Sequence, residues 1–208
     1  MGSNEIYTIG REFGSLGKQV GQDLAKRLGI KFYDKELLQK AAKESGLCEE
    51  IFESHDEKPT NSFLYSLVMD TYTGGSYSTA PFLDMPLNHK VFLAQFDAIK
   101  KIAANESCVI VGRCADYILE DIPNHLNVFV YAPEEARLKN CVENLQMDPQ
   151  TAKKMMRDVD AARNRYHKAY IPGWQSVFDH KDLMIDSSRF GIDGTAKILA
   201  DIVRNQWG

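Results

Sequence analysis

Apolar positions along this chain come in two rhythms. Short unbroken runs occur at Ile6-Tyr-Thr-Ile9, Ile30-Lys-Phe-Tyr33, Cys108-Val-Ile-Val111, Asn127-Val-Phe-Val-Tyr131 and Asp182-Leu-Met-Ile185. Between them apolar residues recur every three or four positions: Val20, Leu24 and Leu28; Leu37, Leu38, Ala41 and Ala42; Val91, Phe92, Phe96, Ile99 and Ile102; Ile198, Leu199, Ile202 and Val203. The first rhythm is that of buried strands and the second that of amphipathic helices. Strands are therefore predicted at 5–9, 30–33, 108–112, 127–131 and 182–186, alternating with helices. That alternation argues an α/β fold, a doubly wound five-stranded parallel sheet with helices on both faces.

The punctuation refines this. Gly29 stops the first helix, and Asp34 is a natural N-cap for the second. Ala132-Pro133-Glu134-Glu135 opens a helix with acids in its first turn, and Asp148-Pro149 opens a long one reaching about Tyr170. Pro172-Gly173-Trp174 ends it, and Ile192 to Val203 forms a closing helix. Residues 47–71 read as helical pieces, and 72–88, rich in Gly, Ser, Thr and Pro, as a loop. Such a loop is either a lid over a site or a plain surface insertion. The 208 residues suit one domain, 1–208, with 47–104 as a helical insertion and 149–178 as an arginine-rich arm.

Candidate chemistry gathers at the first strand–helix turn. Gly10-Arg-Glu-Phe-Gly-Ser-Leu-Gly-Lys18 carries three glycines and leads into a helix. Loop N–H groups and a helix N-terminus together favour a bound anion, and Lys18 stands where a lysine reaches the outer phosphates of a nucleotide. Against the pattern G-x-x-x-x-G-K-[ST], Gly17 and Lys18 fit, Glu12 replaces the first glycine, and Gln19 replaces the metal-binding hydroxyl. The plain alternative is a turn that binds nothing. Arg113 follows the 108–112 strand at the sheet edge where open α/β folds bind ligands; it suits a phosphate, or an ion pair with Asp116 or Glu120. Asp34 is a helix cap or a carboxylate beside a Mg²⁺ ion. Arg157, Asp160 and Arg163 share a helix face, as a solvated ion-pair row or as arginines closing on phosphates.

Composition narrows the classes. The net charge is −4, so bulk attraction to nucleic acid or an anionic membrane is not expected. Cys48, Cys108, Cys114 and Cys141 are scattered, without C-x-x-C, as for free thiols in a reducing cytoplasm. The N-terminus lacks a signal-peptide h-region and no apolar run approaches a membrane span, so neither a leader nor an anchor is expected. Nothing in the pattern speaks to oligomeric state.

The chain resembles the cytidylate kinase-like family of phosphate-loop nucleoside monophosphate kinases. The resemblance rests on Arg11-Glu-Phe-Gly-Ser-Leu-Gly-Lys18, Leu28-Gly-Ile-Lys-Phe-Tyr-Asp34, Val109-Ile-Val-Gly-Arg113, Asp160-Ala-Ala-Arg-Asn-Arg165 and Asp182-Leu-Met-Ile-Asp-Ser-Ser188. It covers nearly the whole length. It implies a phosphate-loop kinase fold, ATP and Mg²⁺, and γ-phosphoryl transfer to a nucleoside monophosphate, CMP or dCMP by default. The 47–104 insertion would then bind the acceptor and 149–178 would be the lid. By the same carry-over, Arg11, Gly14, Ser15, Leu16, Gly17, Lys18 and Gln19 cradle the donor. Asp34, Arg113, Asp160 and Arg163 hold the acceptor, with Asp160 on its ribose. Arg165 reaches the transferring group, and Gln19 and Asp34 are the metal candidates. Lys18, Arg113, Arg163 and Arg165 are the expected catalytic set. Val111 and Cys114 depart from the family's D-G-R-D run, as Glu12 and Gln19 depart in the loop, so this looks like a divergent branch. A kinase of another small metabolite, or a nucleotide-binding sensory domain without turnover, are the alternatives.

Overall fold

The computed structural model describes residues 4–34, 37, 40 and 87–207. The predicted helical pieces at 47–71 and the loop at 72–88 therefore lie outside the described residues, apart from its last positions, which are helical. The elements in order are β1 (Ile6–Arg11), α1 (Gly17–Leu28), β2 (Lys31–Tyr33), α2 (Leu87–Asn105), β3 (Cys108–Val111), α3 (Ala115–Ile118), β4 (His125–Tyr131), α4 (Glu134–Leu145), α5 (Pro149–Tyr170), β5 (Leu183–Asp186) and α6 (Ser187–Trp207). The five strands form one sheet in the order β2-β3-β1-β4-β5, with every pairing parallel.

The unbroken apolar runs become interior strands because both faces of the sheet are covered. All four residues of β3 are buried. Alternate residues feed two cores. Ile6, Cys108 and Ile110 pack with Phe92, Phe96 and Ile99 of α2 and with Tyr166 and Tyr170 of α5. Tyr7, Ile9, Val109, Val111, Val128 and Val130 pack with Val20 and Leu24 of α1 and with Leu199 and Val203 of α6. Burial of Cys108 in the first core pushes its thiol pKa up to about 12, so it is an inert packing group.

Local chemistry sets the helix ends. Gly29 closes α1 at φ 69°, and its N–H bonds back to the last turn. Asp148 caps α5 by accepting from the Thr151 N–H at 3.0 Å, with Pro149 following. α6 is broken at Gly191 (φ 64°, ψ −174°), which explains why the apolar period starts at Ile192 although a helical turn already begins at Ser187. The short α3 has no sequence period long enough to announce it. Leu37 is helical and buried and Lys40 is helical, as the cap at Asp34 predicts.

Because all strands run the same way, the ends of β1 and β3 and the starts of α1 and α3 meet at one sheet edge. β1 and β3 run side by side, with Ile9 opposite Val111. The loop after β1 and the turn after β3 are therefore neighbours, although about a hundred residues separate them in sequence.

Candidate active site

The loop from Glu12 to Leu16 is shaped by close approaches that only glycine permits. Gly14 sits at φ +81°, and a Cβ there would lie 2.8 Å from the Arg137 carbonyl oxygen and 2.9 Å from the Cys141 sulfur. A Cβ on Gly17 would lie 2.6 Å from Arg11 Cβ and 3.1 Å from Val130 Cβ. Leu16 caps α1 at φ 62° with no side-chain hydrogen bond, and the first turn carries no acid. The first-turn N–H groups of α1 are thus left without a capping side chain, the condition for anion binding.

The loop is tied down from three sides. Ser15 is fully buried; its hydroxyl donates to the Glu12 carbonyl at 2.9 Å, and its own carbonyl accepts from Ser187 Oγ at 2.6 Å. The Ser15 N–H also donates to the Glu12 carbonyl, at 3.3 Å, so its hydroxyl, N–H and carbonyl are all engaged within the protein. The Gly14 carbonyl accepts from Asn140 Nδ2 at 2.9 Å, and the Phe13 N–H donates to Asp160 Oδ1 at 2.7 Å.

Glu12 is the residue that breaks the glycine pattern, and its carboxylate is turned aside. Oε2 accepts from the Ala132 N–H at 3.1 Å and lies 3.4 Å from Arg137 Nε. That second distance suits an ion pair, but the angle does not make a hydrogen bond, and Arg137 Nε has no hydrogen-bond partner. Arg137 also donates through Nη1 to Asp160 Oδ2 at 2.7 Å and to the Phe13 carbonyl at 3.3 Å. Sequence reasoning missed Arg137. The signal was indirect: an acid in a phosphate loop requires a cation nearby.

Asp160 lies at the centre of this clamp. It takes the Phe13 N–H, Arg137 Nη1 and, at 3.4 Å, Arg163 Nη1. In this structure its carboxylate fastens α5 to the loop rather than standing open for a ribose. Arg163 Nη1 also donates to the Arg11 carbonyl at 3.1 Å. Asp160, Arg163 and His167 share the face of α5 toward the sheet, whereas Arg165 is exposed. Two residues beyond Arg163 is ~200° further round the helix, so the expectation that Arg165 reaches the site is not met here.

Lys18 Nζ lies 2.8 Å from Asp34 Oδ2, with the lysine half-exposed and the carboxylate largely covered. The pair joins the start of α1 to the end of β2, and Gln19 follows in the same turn of α1. Among the described residues no group of three or more His, Cys, Asp or Glu could hold a metal alone. Mg²⁺ needs no such cage, since it keeps several waters and binds through one or two carboxylates plus substrate phosphates. One carboxylate beside an anion-binding helix terminus fits that chemistry.

Beyond β3 the backbone enters the left-handed region three times running, at Gly112 (φ 76°), Arg113 (φ 64°) and Cys114 (φ 54°). Non-glycine residues seldom sit there, and such strain gathers at functional sites. The turn carries Arg113 to the sheet edge, as the sequence predicts. The Arg11 guanidinium lies against it: a Cβ on Gly112 would come within 2.2 Å of Arg11 Nη1. Nearby, Asp116 pairs with Lys181, and Glu120 lies 3.2 Å from His180 Nδ1.

The model of the cytidylate kinase-like family matches residues 6–189. The chain belongs to the cytidylate kinase-like family. No curated protein matches it by sequence. Among solved structures it is similar to an uncharacterized protein from Eubacterium ventriosum, at 27% identity and TM-score 0.70, covering 97% of this chain and 99% of that one. It is also similar to a shikimate kinase from Bacteroides thetaiotaomicron, at 10% identity and TM-score 0.53, covering 96% of this chain and 98% of that one. That second likeness is one of fold. Family membership supports nucleotide-dependent phosphoryl transfer, a kinase in the broad sense. No helix among the described residues is long and apolar enough to cross a membrane.

Proposed function

We propose that this protein transfers the γ-phosphoryl group of ATP to a nucleoside monophosphate, with CMP or dCMP as the default acceptor. The observation that carries the reading is the uncapped N-terminus of α1, with Lys18 in its first turn, beside a loop that glycines allow to pack tightly. Such a terminus suits the donor phosphates. In the reaction the bond from the γ-phosphorus to its bridging oxygen breaks, a bond to an acceptor phosphate oxygen forms, and ADP leaves. The protein supplies alignment and positive charge rather than a nucleophile. Lys18 and the N–H groups at the start of α1 hold the donor. Arg113 and Arg163 neutralise the acceptor phosphate and the equatorial oxygens. Asp34 and Gln19 would hold Mg²⁺, which neutralises charge on the phosphates. Asp160 acts by holding Arg163 and the loop in register.

The test is ADP release with Mg-ATP across a panel of nucleoside monophosphates, with a no-acceptor control. Turnover above the control with CMP or dCMP, lost in Lys18→Ala and Arg113→Ala, supports the assignment. Normal turnover in both variants overturns it. A second reading, nucleotide binding without turnover, is favoured by Gln19 in the hydroxyl position and by Asp34 being paired with Lys18. It predicts ATP-dependent thermal stabilisation with no acceptor-dependent ADP.

A further inference from the structure

Ser187 stands where β5 ends and α6 begins, and the reaction proposed above gives it no part. It is buried, at 4% exposure. A serine at the start of a helix ordinarily turns its hydroxyl back onto the helix's own N–H groups. Here Asp186 takes that place, accepting from the Ser188 N–H at 2.9 Å and the Ser188 hydroxyl at 2.7 Å. The Ser187 hydroxyl reaches outward instead. Its oxygen lies 2.6 Å from the Ser15 carbonyl oxygen and 3.2 Å from that of Tyr131, at the end of β4. A hydroxyl has one proton and a carbonyl can only accept, so the two carbonyls compete and the nearer one, on Ser15, takes the stronger bond. The contact joins the phosphate loop to a residue 172 positions away.

That bond orients a peptide plane. The Ser15 carbonyl and the Leu16 N–H belong to one planar trans peptide, so they point in opposite directions. On its other side Ser15 is pinned through its N–H and hydroxyl to the Glu12 carbonyl. With the carbonyl drawn toward the start of α6, the Leu16 N–H faces the other way. It has no acceptor among the described residues. It also immediately precedes the uncapped first turn of α1. Successive N–H groups facing one space form a concavity for an anion.

The orientation is strained. Leu16 sits at φ 62°, ψ 17°, in the left-handed region that non-glycine residues seldom occupy. A half-turn of the Ser15–Leu16 peptide would carry φ of Leu16 out of that region. The same rotation would turn the Leu16 N–H away and present the Ser15 carbonyl oxygen to the anion. Relief of strain and loss of an anion donor are thus one motion, and among the described residues Ser187 is the donor that holds the Ser15 carbonyl against it.

We propose that Ser187 is a positioning residue for the donor: its hydroxyl locks the Ser15–Leu16 peptide so that the Leu16 N–H joins those of the first turn of α1 on the donor phosphates. The inference rests on the donor half of the reading above and is independent of the acceptor. Ser187 touches no ligand itself. Its removal leaves Lys18 in place and frees the peptide to turn over, so the loss falls on phosphate binding and not on recognition of a base.

The test is calorimetric titration of the whole chain with Mg-ATP and, separately, with inorganic tripolyphosphate and Mg²⁺, which carries the phosphates without a nucleoside. In Ser187→Ala the Kd for both ligands is expected to rise about tenfold, the loss of one hydrogen bond to a charged group. Ser187→Thr, which keeps the hydroxyl, should restore most of the affinity, and Ser188→Ala should leave it unchanged. A merely structural serine would lower the Tm of the free protein and leave Kd as it was. If Ser187→Ala does not fold by circular dichroism, Ser187→Cys, close in size and a weaker donor, is read in the same way. An unchanged Kd in the folded variant overturns the inference, as does equal weakening in Ser187→Ala and Ser187→Thr, or weakening of Mg-ATP with tripolyphosphate unaffected. The donor site is scored on the unaltered protein: if that binds neither ligand, the donor reading fails and the inference with it, whereas binding that ignores Ser187 removes the inference alone.

Discussion

At the residue scale, much of the site's charge is spent on holding its own shape. Arg137 bridges Glu12, Phe13 and Asp160, and it is 14% exposed, so its contacts are partly shielded from water. Arg137→Met removes the shared cation from two carboxylates and is expected to destabilise by about 1–3 kcal/mol. A double-mutant cycle with Glu12→Gln, read from urea midpoints, should show a coupling of about 0.5–3 kcal/mol; additive effects would dismiss the pair. Lys18 is different, because it is half-exposed and, in the proposed reaction, holds the donor phosphates. Lys18→Ala should lower kcat by about 10²–10³-fold while leaving the Tm without nucleotide nearly unchanged. Thr8 donates to Asn127 Oδ1 at 2.6 Å in a fully buried setting. Thr8→Val leaves that oxygen unsatisfied and should cost about 1–3 kcal/mol by denaturant unfolding.

At the element scale, the packing of α1 and α4 against the loop sets its form. Gly17→Ala inserts a Cβ 2.6 Å from Arg11 and 3.1 Å from Val130, so α1 must move away from the sheet edge. The expected outcome is weaker ATP binding by calorimetry, with the secondary structure retained by circular dichroism. α5 and α2 carry the pH response. His89 is buried and His167 partly so, and desolvation lowers both imidazole pKa values. The unfolded chain, with His near 6.5, then binds protons that the folded chain refuses. Stability should therefore be full above about pH 6.5 and fall as the pH drops below it. Thermal melts from pH 7.5 to 5.5 test this, and His167→Gln should flatten the slope.

At the scale of the whole molecule, binding a nucleotide at the edge where the strands end should stabilise the entire fold. At a hundredfold excess over Kd, Mg-ATP is worth about 2.7 kcal/mol, or roughly 5–10 °C in Tm for a domain of this size. A flat melting temperature across millimolar Mg-ATP would remove the donor site. The fold was legible in the sequence because its signals are local. A buried strand must be continuously apolar, and a helix against a sheet must repeat every three or four residues. Gly29 and Asp148-Pro149 end and start helices through the backbone alone. The five strands, their parallel sense and the loop at Gly10–Lys18 followed from those signals. What only the tertiary structure decided is who meets whom across long sequence distances. Arg137 on Glu12, Asp160 on Phe13 and Lys181 on Asp116 join residues 65 to 147 positions apart. No local period encodes such pairs. The same gap explains why Arg165 was expected in the site: a motif gives spacing, but the helix phase relative to the sheet decides which side chains point inward.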